Sequence, residues 1–242
     1  MTDRAPVDPM EPVTGWRRAF ASMEAAALAG LVAAAGWVFS LSRLLNGPDV
    51  EASEAEITSF FAEPGVGDDA ALVLQVLFFA TAGFLWFIGV VRKRLGRTEP
   101  RLFDTVFFGG GTLLAATLFV GAAALAAPFV LADRGGSPVD PGAAAMTRGF
   151  ASVMLGTFLP RIAALFVFSS ATLSLRTGIL PRWLAYLGYL VGIALIADVT
   201  FSDPSIYALP AWVALMSVVL LFRRDPRDES ASSTPEESPS SD

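Results

Sequence analysis

The feature of this sequence that most restricts its fold is a series of six apolar blocks, each close to the length of a membrane span. A hydrocarbon core about 30 Å thick requires roughly 20 apolar residues of helix, because every main-chain polar group must be hydrogen-bonded within its own segment. The blocks lie at residues 23–45, 70–91, 103–132, 149–175, 181–201 and 206–222. They predict an all-α fold, a polytopic membrane bundle of six transmembrane helices. Pro210 is expected in the first turn of the last helix, where its missing N–H breaks no bond.

The composition agrees with a membrane protein and removes most catalytic chemistry. Apolar residues make up 54% of the chain and charged residues only 17%, which is fewer charges than a typical soluble domain carries. The chain has no cysteine and no histidine, so it lacks a thiolate nucleophile, a disulfide and the commonest side-chain base and metal ligand. We therefore expect no catalytic residue, no metal site and no cofactor, and an enzyme is the least favoured class.

The positions of lysine and arginine predict the orientation of the bundle. Cytoplasmic loops retain positive charge near the helix ends. One side of the predicted bundle holds Arg17, Arg18, Arg92, Lys93, Arg94, Arg97, Arg101, Arg176, Arg182, Arg223, Arg224 and Arg227. The opposite side has Arg43, Arg134 and Arg148 among many acidic residues. Both termini are therefore predicted to be cytoplasmic, in a multi-pass protein of the cell membrane.

This layout divides the chain into three regions. Residues 1–15 form a polar arm that is predicted to be disordered and cytoplasmic. Residues 16–224 form the transmembrane domain, with an acidic outer loop at 46–69, and residues 225–242 form a disordered cytoplasmic tail. The formal net charge of −6 comes mainly from the outer loop and the tail, which argues against a nucleic-acid partner.

A short amphipathic helix is predicted within the acidic outer loop. Ser53 and Glu56 have the spacing of a capping box, and Ile57, Phe60 and Phe61 follow at helical spacing. The two phenylalanines are expected in the outer membrane interface or on the mouth of the bundle. A helix that floats on lipid and a helix that acts as a lid are both compatible with this pattern.

Two groups of small residues predict close approach between helices. Thr105, Gly109, Thr112 and Ala116 project within a narrow arc of the third predicted helix. In the fifth helix, Gly188 and Gly192 form a G-x-x-x-G pair. By frequency, such a pair more often serves packing within one chain than dimerisation.

Two charges inside the fourth and fifth blocks define the candidate site. Arg161 lies fifteen residues before Arg176, and Asp198 lies sixteen after Arg182. At about 1.5 Å of rise per residue, both are roughly 22 to 24 Å from the inner rim. Because the connecting loop is short, the two helices are expected to be antiparallel neighbours. We therefore predict that Arg161 and Asp198 pair within about 4 Å, or through one water.

The same count from the basic end adds three polar residues to this level of the bundle. They are Gln75, Thr117 and Tyr207. Together with Arg161 and Asp198 they predict a polar layer in the outer third of the bundle. An intramembrane charge costs at least about 2.5 kcal/mol on insertion scales, so this layer is either a ligand or ion site or a pair that joins two helices. Pro160 predicts a kink beside Arg161, because its missing N–H leaves the Gly156 carbonyl without its helical donor.

One turn in the sequence is similar to a known pattern. Residues 176–184 read Arg-Thr-Gly-Ile-Leu-Pro-Arg-Trp-Leu, and Gly188 and Gly192 follow. With the six-span layout, this turn resembles an uncharacterised bacterial family of six-helix integral membrane proteins, a domain of unknown function. The resemblance implies a fold class and a bacterial plasma membrane. It implies no activity and no functional residues.

The sequence favours a membrane-embedded binding or accessory protein. In that reading, the polar layer holds a small anionic group or a lipid headgroup, or the small-residue faces dock another membrane protein. The alternative is a small secondary transporter that uses the Arg161–Asp198 pair, although transporters usually show a clearer internal repeat. The lipid bilayer is the expected partner in either case, and the oligomeric state is left open.

Overall fold

The chain folds as a set of packed helices. The computed structural model describes residues 23–95, 101–134, 138–178, 180–198 and 203–222, and within these ranges there is no β-strand. The predicted arm at 1–15 and the predicted tail at 225–242 lie outside the described residues. The elements are α1 (Met23–Leu45), α2 (Glu54–Ala62), α3 (Ala70–Leu95), α4 (Arg101–Asp133), α5 (Pro141–Ser152), a π-helical segment (Val153–Phe158), α6 (Leu159–Thr177), α7 (Arg182–Ala197) and α8 (Asp203–Phe222).

Several of these helices have the length and composition of membrane spans. In the described part of the chain, four stretches are long and apolar enough to cross a membrane: Glu24–Leu45, Ala70–Lys93, Thr105–Asp133 and Pro141–Thr177. The last stretch runs from α5 through the π segment into α6. Two further apolar helices are shorter, Arg182–Ala197 and Ile206–Phe222. The all-helical fold is therefore compatible with a membrane protein.

The six predicted blocks correspond to helices of the structure, but the bounds of some helices and the position of Pro210 differ. The first block coincides with α1, whereas the fourth, predicted at 149–175, begins earlier, at Pro141, and is interrupted by the π segment. The prediction for Pro210 was wrong, because α8 begins at Asp203 and the proline lies inside the helix. Prolines are tolerated inside membrane helices because neighbouring groups satisfy the freed carbonyl.

The core is built where α1, α3, α4 and α6 meet. Trp37 of α1 packs on Phe84 of α3, with their ring centroids 4.8 Å apart. Phe84 in turn contacts Phe166 of α6 at 5.5 Å, and Phe166 stacks on Phe107 of α4 at 5.1 Å. All four rings are buried. This row of aromatic contacts joins four helices, while α8 packs against α1 and α7 packs mainly against α6.

Small residues set how closely the helices approach. A Cβ atom at Gly36 of α1 would lie 2.6 Å from the Cβ of Ala80 on α3, and one at Gly30 would collide with the Ser217 hydroxyl of α8. The predicted pair in α7 also packs within the chain: Gly188 faces Ala171 and Trp212, and Gly192 faces the ring of Phe168 on α6. Close packing of this kind is how helices associate where lipid offers no hydrophobic driving force.

The small-residue face of α4 behaves differently from the other small faces. Thr105, Gly109, Thr112 and Ala116 are all exposed, and a Cβ at Gly109 would meet no atom within 4 Å. The face is therefore open to the surroundings of the bundle rather than packed against a helix of the described chain.

The two ends of the bundle differ in charge. The end that carries α2 also carries the α4–α5 connection, and its described residues include nine carboxylates and three arginines: Asp49, Glu51, Glu54, Glu56, Glu63, Asp68, Asp69, Asp133, Asp140, Arg43, Arg134 and Arg148. The opposite end carries the α6–α7 turn, with Arg92, Lys93, Arg176 and Arg182 among its described residues. We refer to them as the acidic end and the basic end.

The close contact of α1 with α3 gives a direct test of the packing. Gly36→Ala should destabilise the protein by about 1 to 3 kcal/mol, because overpacking forces one of two rigid helices to shift. Gly89→Ala is the matched control: Gly89 lies in α3 and has no atom within 4 Å of its Cβ position. The control should be neutral or stabilising by up to about 1 kcal/mol, from improved helix propensity. Unfolding of the purified protein in mixed micelles measures both, and equal stabilities would contradict the predicted contact.

Candidate functional site

The predicted polar layer begins with Arg161, near the start of α6. Its side chain is half-buried, and Nη1 donates a hydrogen bond of 2.6 Å to the main-chain carbonyl of Thr157. Thr157 belongs to the π segment, in which the Leu159 N–H reaches back five residues to the Met154 carbonyl. An interrupted hydrogen-bond ladder gives a side-chain donor access to a main-chain acceptor. The distortion predicted at Pro160 is thus present as a π segment, and Arg161 bonds to it.

The register of α6 against α7 agrees with the predicted equal depth of Arg161 and Asp198. Gly188 faces Ala171, and Gly192 faces Phe168, so the two helices run antiparallel. Extending this register by about seven residues toward the acidic end brings Arg161 level with Asp198 to within a residue.

Despite this equal depth, the predicted pair of Arg161 with Asp198 does not form. Helix α7 ends at Ala197, and Asp198 is its C-terminal cap with an extended backbone, at φ −69° and ψ 103°. Asp198 also lies six residues beyond Gly192, which is about 120° around the axis from the face that meets α6. The two residues lie at the same level along the helices, but Asp198 is not on the face of α7 that meets α6.

The other three members of the layer do not meet to form a site. Gln75 is exposed on the outside of α3, so its place inside the bundle was predicted wrongly. Thr117 is buried, but its hydroxyl donates to the Leu113 carbonyl of its own helix at 2.9 Å. Tyr207 is half-buried and packs against the edge of the core. None of these five residues lines a cleft described below.

The amphipathic helix of the outer loop has the predicted capping box. The Ser53 hydroxyl accepts from the Glu56 N–H at 3.3 Å, and the Glu56 carboxylate accepts from the Ser53 N–H at 2.8 Å and from its hydroxyl at 2.9 Å. The main-chain bond from Ser53 and, after it, the hydroxyl bond lower the pKa of Glu56 below its usual value of 4.5. The box therefore contributes stability above pH 4.5, and this contribution is lost as the pH falls through the lower folded pKa.

Helix α2 is docked on the bundle rather than lying apart from it. Ile57 is buried in a small core with Val139 and Ala144, separate from the main core. Phe60 and Phe61 both make edge-to-face contacts with Phe129 of α4, at centroid distances of 6.1 and 5.4 Å. These contacts favour the lid over the helix that floats on lipid. We call α2, the last turns of α4 from Leu125 and the first turns of α5 the cap.

The cap stands on turns that extend past the length of a bilayer. Helix α4 has 33 residues and is about 50 Å long, and the run from Pro141 to Thr177 has 37 residues, or about 55 Å. Both exceed the roughly 30 Å of a hydrocarbon core. If the basic residues hold the other end at the membrane surface, the extra helical turns project beyond the bilayer at the acidic end.

The loop that follows α2 is fixed to α4 by a glycine. A Cβ at Gly67 would collide with the Phe129 carbonyl and would lie 2.5 Å from the Asp133 nitrogen. Both are main-chain atoms that cannot turn aside. Gly65, at φ 85°, supplies the left-handed turn that leads into this contact. An ion pair between Arg43 and Asp69 lies beside it, at the exposed surface, where such pairs contribute little.

Arg148 of α5 ties the cap to the end of α1. Its guanidinium donates to the main-chain carbonyls of Leu44 and Leu45, at 3.5 and 3.2 Å. The last carbonyls of a helix have no partner in their own helix, so a side-chain donor stabilises that end. From the sequence, Arg148 was predicted only to be one of the charges on the outer side.

Three clefts adjoin one another around the cap. The first lies beneath α2 and is lined by Ile57, Phe61, Leu125, Pro128 and Phe129, with Asp49, Ala145 and Arg148 at its edge. We call it the cap cleft, and its volume of about 20 Å³ has room for about one water. A second cleft of about 460 Å³ shares Pro128, Ala144 and Thr147 with it, and a third of about 240 Å³ shares Phe129. The second cleft is the largest of the three, is mostly apolar and has the size that small ligands occupy.

Comparison with protein-family models, with curated proteins and with solved structures found no match for this chain. The likeness to a bacterial six-helix family thus stays a prediction. Within the described residues, no group of acidic side chains has the arrangement of a metal site. The candidate site in the cap is therefore a set of clefts and not a cluster of catalytic residues.

Only part of this site could be predicted from the sequence. The capping box and the pattern of Ile57, Phe60 and Phe61 revealed α2, but the partners of α2 lie far away in the chain. Neither Phe129 nor Gly67 has a local sequence signal for contact with the other. Their meeting depends on where α4 ends, which hydropathy fixes only to within a turn.

Docking of the cap is expected to depend on Gly67. Because the chain has no cysteine, Ala144→Cys introduces a single reactive group beneath α2. Adding Gly67→Ala should cost about 1 to 3 kcal/mol of local stability and speed maleimide labelling of that cysteine by about fivefold or more. Gly149→Ala, with no atom within 4 Å of its Cβ position, is the control and should leave the rate unchanged. Identical rates in all three proteins would show that Gly67 does not hold the cap.

Proposed function

We propose that this protein crosses the cell membrane six times, with both termini in the cytoplasm. The spanning helices are α1, α3, α4, the π segment with α6, α7 and α8. The separation of charge between the two ends supports the orientation, since basic residues remain on the cytoplasmic side. The acidic end and its cap then face outward. A bacterial plasma membrane accords with the resemblance of the turn at 176–184.

Single introduced cysteines test this topology without background labelling, because the chain has no cysteine of its own. Thr58→Cys on α2 should react with a membrane-impermeant maleimide in intact cells. Ser230→Cys, near the C-terminus, should react only after the cells are opened. Labelling of both in intact cells, or the reverse pattern, would overturn the proposed orientation.

We further propose that the protein is a membrane-embedded binding protein whose ligand site is the second cleft, within the cap. The observation that carries this proposal is a mostly apolar space of about 460 Å³ between the last turns of α4 and the first turns of α5. Its walls include Pro128, Leu131, Val139 and Ala144, so residues on both sides of the α4–α5 connection converge there. The site lies where the bundle leaves the bilayer, which favours a ligand that reaches it from the membrane surface.

The polar layer supports this proposal less than the cap does. Arg161 bonds to its own helix, Gln75 faces outward, and the Arg161–Asp198 pair that a proton-linked transporter would use is not formed. The binding or accessory role is therefore favoured over transport, with the site moved from the layer to the cap.

One observation favours an accessory role as a second candidate. The face of α4 made by Thr105, Gly109, Thr112 and Ala116 is small and open. Such a face allows the helix of another membrane protein to approach closely. A bulky residue at Ala116 would block that docking and leave the cap untouched.

Photocrosslinking distinguishes the two candidate sites. The full-length protein in nanodiscs is exposed to an alkyl alcohol that carries a diazirine, and the labelled peptides are identified by mass spectrometry. We expect labelling of α4 at 127–131 and of α5 at 143–147, the segments that line the second cleft. Ala143→Phe, which narrows this cleft, should reduce the labelling severalfold, whereas Ala116→Phe should not.

Thr147→Leu, a smaller change in the wall of the same cleft, guards against loss of folding in Ala143→Phe. Both variants should reduce labelling while their thermal unfolding stays cooperative. If the two well-folded variants label like the unaltered protein, the second cleft is not a ligand site.

A further inference from the structure

A charged side chain lies among exposed apolar residues near the start of α6. We propose that Arg161 binds the phosphate group of a phospholipid in the outer leaflet of the membrane. This site rests on the proposed topology and is independent of the second cleft. It gives a role to a residue that the proposed function does not use.

The neighbours of Arg161 place it at the edge of the lipid-facing surface. Phe158 and Leu165, three residues before it and four after it, are exposed. Residues at this spacing share one side of a helix. Phe168, two turns further along α6, packs against Gly192 of α7. The half-buried side chain of Arg161 therefore lies between the seam with α7 and the surface that faces lipid.

The charge of Arg161 is not neutralised within the described part of the chain. Nη1 donates to the Thr157 carbonyl at 2.6 Å, and no carboxylate of a described residue lies within 4 Å of the guanidinium. A main-chain carbonyl carries only a partial charge, so a full positive charge is left beside lipid. A charge inside a membrane is costly unless it meets an opposite charge, a polar group or water.

The side chain of Arg161 is directed toward the outer membrane surface. Side chains on a helix tilt toward its N-terminus, and α6 begins on the side of the cap. The bond to Thr157, four residues nearer that side, follows the same direction. The Arg161 backbone lies roughly 22 Å from the inner rim, about 8 Å short of the far boundary of a hydrocarbon core about 30 Å thick. A long side chain directed outward from this level carries its charge toward the headgroups.

The guanidinium has an edge that suits a phosphate. Nη1 is held by the Thr157 carbonyl of the π segment, and no described residue bonds to Nε or Nη2. Nε and Nη2 carry parallel N–H groups, which can bind two oxygens of one phosphate at once. The bond to Thr157 orients this edge in advance.

The apolar neighbours of Arg161 favour a lipid over a free anion. A phospholipid held at its phosphate lays its acyl chains along the side of α6 where Leu165 is exposed. Inorganic phosphate offers no apolar contact there, and it must leave water to reach the site. The site therefore fits a phosphate that is already part of a lipid.

The test compares two photoactivatable lipids that share one acyl chain with a diazirine near the glycerol: a phosphatidylcholine and a diacylglycerol, which lacks the phosphate. The full-length protein is labelled in dodecyl maltoside micelles, which contain no phosphate. Phosphatidylcholine should label residues 158–165 roughly fivefold more than diacylglycerol. The two lipids should label residues 193–196 of α7 alike, because Ile193 and Ile196 are exposed at a similar level and are apolar.

Variants of the arginine locate the effect. Arg161→Gln removes the charge and keeps a polar side chain, so the preference for phosphatidylcholine at 158–165 should disappear. Arg161→Lys keeps the charge without the two parallel N–H groups and should retain part of the preference. Arg43→Gln is the control, since Arg43 pairs with Asp69 at the exposed surface, and it should leave the preference unchanged. Cooperative thermal unfolding identifies the variants that remain folded.

The outcomes separate this site from the proposed function. Equal labelling of 158–165 by the two lipids, or a preference that persists in folded Arg161→Gln, would overturn the phosphate site. Loss of the preference in excess inorganic phosphate would identify a free anion as the ligand and overturn the lipid. If neither lipid labels 158–165 or 193–196, the membrane topology is wrong and this site with it. Labelling of the second cleft is measured on other segments, so either site can fail alone.

Discussion

Close helix approach through small residues is the constraint on which this structure depends. In a membrane, apolar side chains gain little by leaving lipid for one another, so packing distance decides which helices associate. Gly36 against Ala80 and Gly30 against Ser217 bring α1 to both of its neighbours. The aromatic row from Trp37 to Phe107 then fills the space between helices whose positions these contacts set. A side chain at Gly36 would press on the Cβ of Ala80, and one at Gly30 would force the Ser217 hydroxyl to move.

The cap is built differently, on two helical runs that are longer than a bilayer crossing requires. Its small core of Ile57, Val139 and Ala144 is separate from the main core, and its main-chain groups need explicit partners. The capping box of Ser53 meets that need for α2, and Arg148 meets it for the end of α1. The result is a helix held on the last turns of α4 and the first turns of α5, with the second cleft between those turns.

Much of the fold was predictable because hydropathy and helix caps are local signals. The bounds of α1 and the capping box at Ser53 and Glu56 follow from residues near in sequence. The depth of Arg161 and Asp198 was also predictable, since helix rise is constant. Their failure to pair was not, because it depends on α7 ending at Ala197 and on the π segment that offers the Thr157 carbonyl to Arg161. The cap cleft was missed for the same reason: it is made by contacts between distant residues.

The contact between Gly30 and Ser217 also has a consequence for the order in which the helices pack. It joins α1 to α8, the first and the last of the described helices, so this contact forms only after α8 has been made. The Gly30 position also faces Phe87 of α3, so α1 and α3 can pair before α8 is present. Helix α8 then packs on a surface of α1 that α3 has already positioned.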